Sequence, residues 1–165
     1  MKRAKRILIG IICLPLILIA LLIVLWILYE AVGMAVNHIS GNQQTKNLIQ
    51  EIETGSSSVK IIDSYTKTGN TTGTSNHVDM LSVVVFTTED PLDEIKNKMA
   101  RYYESKESGS IDFWIGDIKE FKSIKEDRGF LYIDLNHLDV TDLEENDYIL
   151  YMNTSAPFRD NIEGH

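Results

Sequence analysis

The feature that most constrains this chain is an uncharged apolar run from Ile7 to Tyr29. Seventeen of its twenty-three residues are Ile, Leu or Val. Because a helix rises about 1.5 Å per residue, the run would span about 34 Å, slightly more than the hydrocarbon core of a bilayer. The run therefore predicts a membrane-spanning helix, with membrane lipid as its first partner.

The charges on either side of residues 7–29 predict the orientation of the chain in the cell membrane. Four basic residues lie within the first six positions, which favours a cytoplasmic N-terminus and a C-terminal domain outside. Trp26 and Tyr29 stand at the far end, where aromatic side chains typically anchor at the headgroups. From Glu30 onward the chain carries twelve basic and twenty-four acidic residues, a net charge of −12. Such a domain is repelled by phosphate backbones, so we expect no nucleic-acid partner.

A cleaved secretory signal is the alternative interpretation of the same run. Small residues at Ala31, Gly33 and Ala35 offer a weak cleavage pattern, and a secreted protein would follow from it. The apolar region of a signal peptide is normally about 7–15 residues, much shorter than this run. The length favours an uncleaved, single-pass signal anchor. The one cysteine, Cys13, lies inside the run, so no disulfide can form within the chain.

Residues 30–57 have the composition of a juxtamembrane linker. Ser40-Gly41-Asn42 predicts a break, because Gly and Asn are common where a helix ends. A short helix is then predicted over residues 45–53, with Leu48, Ile49 and Ile52 forming a narrow apolar stripe. This helix either packs on the domain or serves self-association or partner binding.

Residues 58–156 predict a small α+β domain, and residues 157–165 a tail. The predicted elements are strands over 58–65 and 79–88, a helix over 91–104, short strands over 111–115 and 117–124, a strand over 130–135 that completes a hairpin, and a strand over 148–152. The strand over 79–88 is apolar on both faces and should be central in the sheet. The expected architecture is a mostly antiparallel sheet with one main helix packed on one face.

The predicted helix has a clear start and one apolar face. Asp90 suits the N-cap and Pro91 the first helical position. Its apolar stripe recurs at helical spacing and should face the core. The stripe consists of Leu92, Ile95, Met99 and Tyr102.

Candidate chemistry is sparse in this sequence. Asp134 to Glu145 matches the first, third and twelfth ligand positions of an EF-hand loop, but Leu138 and Asp139 occupy the fifth and sixth, where an oxygen ligand and Gly are needed. A strand end followed by a capped turn is the favoured interpretation. His77 and His137 have no metal-ligand spacing. We therefore assign no catalytic, cofactor-binding or metal-binding residues, and expect no cofactor.

Three hypotheses of function follow. The first is a non-enzymatic membrane-anchored domain that binds a protein partner or acts as an accessory subunit. The second is a membrane-tethered hydrolase or metal-dependent enzyme, whose site would gather His77, His137 and carboxylates. The third is a secreted protein. The ten-residue polar loop from Lys67 to Asn76 is a possible functional loop without an assigned ligand. Twenty-one Ile against six Ala suggest a bacterial source with an AT-rich genome.

Overall fold

The computed structural model of the chain describes residues 2–73, 76–107, 111–121, 133, 138 and 147–165, with the backbone alone at 2–12 and 106–107. The elements are α1 (Lys2–Gly55), β1 (Lys60–Gly69), β2 (Asp79–Thr87), α2 (Leu92–Lys98), α3 (Ala100–Glu107), β3 (Asp112–Asp117), β4 (Asp147–Ser155) and a short 3-10 turn (Ile162–Gly164). The expected α+β class is confirmed.

Helix α1 is one uninterrupted helix of 54 residues. Its apolar side chains between Leu14 and Tyr29 are 51–71 % exposed, whereas its last four turns are partly buried in the domain. In the part of the chain that the structure describes, it is the one helix long and apolar enough to cross a membrane. The predicted break at Ser40-Gly41-Asn42 is wrong, because the helix continues through all three residues.

The four described strands form one antiparallel sheet in the order β1-β2-β4-β3. The prediction that residues 79–88 form a central strand is confirmed: β2 lies between β1 and β4, and nearly all of its residues are buried. Strand β1 lies at one edge and contains an irregularity at Ile62. A bulge and two lysines along an edge strand discourage pairing with other chains.

The C-terminal half of α1 crosses one face of the sheet parallel to β2. Gln44 donates to the Met80 carbonyl (3.1 Å), and Thr45 donates to the Ser82 hydroxyl (2.8 Å). Further along both elements, Leu48 and Ile52 pack in the same core cluster as the later residues of β2. The beginning of β2 and the ends of β1 and β4 therefore lie at the end of the sheet nearest the candidate span.

The same face also carries α2 and α3. Ile95 and Met99 are buried in this core, and Leu92 and Tyr102 pack against it, so the predicted stripe is confirmed. The predicted single helix is divided at Met99, whose amide bonds to both the Ile95 and Lys96 carbonyls. Asp90 is not the N-cap and Pro91 is not the first helical position, because Pro91 itself is the N-cap. Asp90 accepts instead from the Ser56 hydroxyl.

The opposite face of the sheet is covered by residues that follow β3. Its core cluster consists of Leu81, Val83, Val85, Ile118, Phe121, Ile133, Leu138 and Ile149. The prediction that this strand is apolar on both faces is confirmed, since Val84 and Phe86 lie in the other cluster, beneath the helices.

Two predictions about residues 111–124 are wrong. Gly116 does not interrupt the strand but lies within β3, where Trp114 covers the space above it. Residues 118–121 form a helical turn, because Ile118 and Phe121 reach the core at helical rather than alternating spacing. The hairpin turn at 125–129 and the strand at 130–135 lie outside the described residues, apart from Ile133.

Residues 157–165 do not form a free tail. They fold back onto α1 and onto the near end of the sheet, where the Val78 amide donates to the Arg159 carbonyl (2.7 Å) and the Asn70 amide donates to the Glu163 carbonyl (3.2 Å). We call residues 157–165 the C-terminal segment. Its polar backbone finds partners in the fold, and this holds the segment in place.

Candidate protein-binding groove

An open groove runs along α1 on the side that faces α3. Its upper part, which is the part farther from the candidate span, has a volume of about 460 Å³. It is lined by Asn47, Gln50, Glu51, Thr54, Gly55, Arg101 and Tyr102. Its lower part, about 490 Å³, is lined by Ile39, Ser40, Gln43, Gln44, Asn47, Tyr102 and Met152. Asn47 and Tyr102 line both parts, so the two adjoin each other. We call this the α1 groove; sixteen helical rises from Ile39 to Gly55 give it a length of about 24 Å.

Tyr102 lies at the centre of the groove and is fixed from several sides. Its ring stacks on Phe113 at 5.2 Å between centroids, and its hydroxyl donates to Glu51 Oε2 at 2.6 Å. The Arg101 guanidinium donates to the same oxygen and lies 4.9 Å above the Tyr102 ring. Burial, followed by the hydrogen bond to Glu51, raises the pKa of the Tyr102 phenol. The phenol therefore stays protonated and is suited to contact and hydrogen bonding rather than to nucleophilic chemistry.

The lower part of the groove is stiffened by one amide. Gln44 Nε2 lies within hydrogen-bond distance of the Ser82 hydroxyl (3.0 Å) and the Met152 carbonyl (3.2 Å), and Gln44 Oε1 accepts from the Thr154 hydroxyl (2.6 Å). These bonds join α1 to the two central strands. Side chains held in this way lose little conformational entropy when a ligand binds.

The groove is lined mostly by polar side chains, with one Tyr, one Arg and one Met among them. Tyr, Arg and Met are enriched in protein interfaces, and here they lie beside amide side chains on a helix. Glu51 already pairs with Arg101, so the upper part presents a neutralised ion pair. The groove is therefore open, polar and electrically balanced over its length.

Sequence patterns indicate only part of this groove. The stripe Leu48, Ile49 and Ile52 indicated the helix, and the structure buries Leu48 and Ile52 in the core of the same domain. The apolar stripe therefore stabilises the fold, and the polar side of the helix forms the groove. No local pattern could place Arg101 beside Glu51, because fifty residues separate them along the chain.

His77 and Asp79 are brought together, with His77 Nε2 at 3.2 Å from Asp79 Oδ1. Burial raises the pKa of the Asp79 carboxyl, while His77, Arg159 and the Thr71 hydroxyl oppose that rise. His137 lies outside the described residues, as does the EF-hand-like stretch apart from the buried Leu138. Within the described ranges, no group of three or more His, Cys, Asp or Glu residues could hold a metal ion.

The polar loop predicted over Lys67 to Asn76 is partly strand. Strand β1 continues to Gly69, and Thr71 is fully buried, donating to Asn153 Oδ1 at 2.9 Å. Residues 74–75 lie outside the described part. The described residues of this loop mainly support the near end of the sheet.

Comparisons with protein-family models, with curated proteins and with solved structures find no match. We therefore infer function from the geometry of the chain alone.

Proposed function

We propose that this chain is a single-pass protein of the cell membrane whose outward-facing domain binds a protein partner in the α1 groove. The observation that carries the proposal is the continuity of α1, in which one helix contains both the candidate span and a wall of the groove. The role is that of an accessory subunit, and the partner is most simply another protein of the same membrane.

A continuous helix fixes the height and orientation of the groove above the bilayer. From Tyr29 to Ile39 the helix rises about 15 Å, so the groove would begin at that height and extend about 24 Å further. An enzyme acting on a diffusible substrate does not need such a fixed position. A domain that must meet a partner held in the same membrane gains directly, since preorganisation lowers the cost of association.

The folded contacts of residues 30–38 support an uncleaved anchor. Glu30 accepts from the Ile162 amide (2.9 Å), and Asn37 both donates to and accepts from the Phe158 backbone. Cleavage near Gly33 or Ala35 would remove Glu30 and cut a helix that the C-terminal segment covers. Signal cleavage and these contacts are therefore in conflict.

The orientation rests on the charges. Basic residues stay on the cytoplasmic side, and the domain of net charge −12 lies outside. Labelling of intact cells with a membrane-impermeant maleimide tests this. Asn42→Cys, exposed on α1, should be labelled, whereas native Cys13 within the span should not. If Asn42→Cys is labelled only after cell lysis, the domain lies in the cytoplasm and the proposed orientation is wrong.

Site-specific photocrosslinking in intact cells tests partner binding. A photoreactive amino acid at Gln50, exposed in the groove, should give one discrete protein adduct, and Tyr102→Ala should weaken that adduct several-fold. Ile62, on the edge strand away from the groove and 41 % exposed, is the matched control position. Equal products from both positions, or none from Gln50, would contradict the proposed partner site.

A further inference from the structure

The C-terminal segment packs on the first helical turns after the candidate span. The Phe158 ring lies 5.8 Å from the Tyr29 ring in an edge-to-face arrangement, and a Cβ on Gly33 would lie 3.4 Å from Phe158. The Ile162 amide reaches the carboxylate of Glu30, the residue directly after the apolar run. The contacts nearest the candidate span therefore hold the segment at residues 29–33 of α1, and its contacts with Asn37 and His38 lie further along the helix.

Helix geometry places that level in the headgroup layer. The predicted span from Ile7 to Tyr29 fills the hydrocarbon core, and each headgroup region is roughly 5–8 Å thick. At about 1.5 Å per residue, the four residues from Glu30 to Gly33 rise only about 6 Å. Side chains of the C-terminal segment that contact these residues must share that depth.

Two exposed side chains at this level are apolar, although Arg159 and Asp160 of the same segment are exposed as well. Ile162 is 53 % exposed and Val32 is 55 % exposed. The backbone next to the Ile162 side chain is satisfied, because its amide bonds to Glu30 and Asn161 Oδ1 accepts from the Glu163 amide (2.8 Å). An apolar side chain on a backbone whose polar groups are paired suits the boundary of a bilayer.

We propose that the C-terminal segment is a lipid-contacting collar around the exit of α1 from the membrane. Phe158 would pack against Tyr29 of the aromatic belt, and Ile162 would insert among the headgroups. The segment carries Arg159 and His165 beside Asp160 and Glu163, so its charges are mixed. The contact is therefore apolar and belongs to zwitterionic lipid rather than to anionic lipid. This inference rests on the proposed membrane anchor.

Depth measurement on the full chain in phosphatidylcholine vesicles tests the collar. In a Cys13→Ser background, nitroxide labels are placed singly at Ile162→Cys, Ile62→Cys and Leu22→Cys. Ile162 and Ile62 are both exposed isoleucines, but Ile62 lies toward the opposite end of the sheet. The label at 162 should collide with a water-soluble nickel chelate several-fold less often than the label at 62.

The label at Leu22, in the middle of the span, separates the two proposals. If it lies in hydrocarbon while the label at 162 is as accessible as that at 62, the anchor stands and the collar is wrong. If the label at 22 is itself accessible to the chelate, the anchor and the collar both fail. A nitroxide label could itself displace the segment, so a second measurement uses the chain without nitroxide. Methyl NMR is recorded in nanodiscs that contain a lipid with a paramagnetic headgroup. The Ile162 methyl signal should broaden and the Ile62 signal should not, and the reverse pattern would overturn the collar.

Discussion

Gly41 shows how a residue that usually ends helices can instead permit helix packing. A Cβ at this position would lie 2.9 Å from Thr66 Cγ2 and 3.2 Å from Thr68 Oγ1. Those distances are too short for ordinary contact, so α1 can approach the sheet this closely only without a side chain here. The sequence Ser-Gly-Asn is compatible both with the end of a helix and with a helix that packs closely on a sheet. Only the tertiary neighbours distinguish the two.

Gly41→Ala should therefore destabilise the domain by about 1–2 kcal/mol, because overpacking outweighs the helix propensity that Ala adds. The clashing atom is a methyl group of Thr66, whose hydroxyl lies 2.6 Å from that of Thr45. Thr66→Ser removes the methyl group and keeps the hydroxyl, so it should restore most of the loss in the double variant. Urea denaturation measures both changes. A Gly41→Ala variant more stable than the wild type would refute the close crossing.

Asp79 predicts a pH dependence of stability. Burial raises its pKa in the folded chain, so the folded state holds a proton at pH values where the unfolded state has lost it. The contribution of Asp79 to the free energy of unfolding should therefore fall as the pH rises from about 4 through the raised pKa. Asp79→Asn cannot titrate, so its stability relative to the wild type should increase over the same range.

Urea denaturation at several pH values from about 4 upward checks this expectation. Ser155→Ala is the control, since Ser155 pairs with Asp79 in the sheet and has no titrating side chain. Its difference from the wild type should not follow the same pH trend. A relative stability of Asp79→Asn that falls as the pH rises would show that the neighbouring His77 and Arg159 outweigh burial.

At the level of elements, strong local patterns were sufficient for some parts of the fold. Strand β2 is apolar on both faces, and the apolar residues of α2 and α3 recur at helical spacing. In both cases the local spacing of apolar residues was enough to predict which side chains are buried. The helical turn at 118–121 and the C-terminal segment were not predicted. Ile118 and Phe121 are too few to define a period, and the C-terminal segment is fixed by partners about 120–130 residues away. The α1 groove could not be predicted for the same reason, because residues far apart in the sequence form its walls.

The C-terminal segment depends strongly on Asn37, which is fully buried on α1. Its amide donates to the Phe158 carbonyl (2.8 Å), and its oxygen accepts from the Phe158 amide (2.9 Å). Asn37→Ala should cost about 2–3 kcal/mol, because it leaves both backbone groups without partners. Hydrogen exchange of the Phe158 amide should accelerate accordingly. Asn42→Ala, the same change at an exposed position of the same helix, should alter neither the stability nor the exchange rate of the Phe158 amide. An unchanged exchange rate in Asn37→Ala would contradict the packing of the C-terminal segment on α1.

For the whole molecule, the main difference from the sequence-based expectation is where the folded domain begins. Composition indicates a linker over residues 30–57, because charged, polar and small residues replace the apolar run. In the structure the same residues, up to Gly55, continue the helix and carry contacts to the sheet and the C-terminal segment. The composition of a segment indicates whether its surroundings are polar or apolar. It cannot show that one helix continues without a break from the candidate span into the core of the domain.

This continuity predicts different stabilities for two soluble fragments that both lack the span. Fragment 30–165 retains the four hydrogen bonds and ion-pair contacts from Glu30, Asn37 and His38 to the C-terminal segment, whereas fragment 39–165 loses them. At about 1 kcal/mol net for each bond, the longer fragment should be more stable by roughly 3–4 kcal/mol. Urea denaturation of the two fragments measures the difference, and Asn37→Ala in the longer fragment should remove most of it. Equal stability would mean that residues 30–38 act as a linker after all, and it would remove the support that a rigid α1 gives to a partner-binding role.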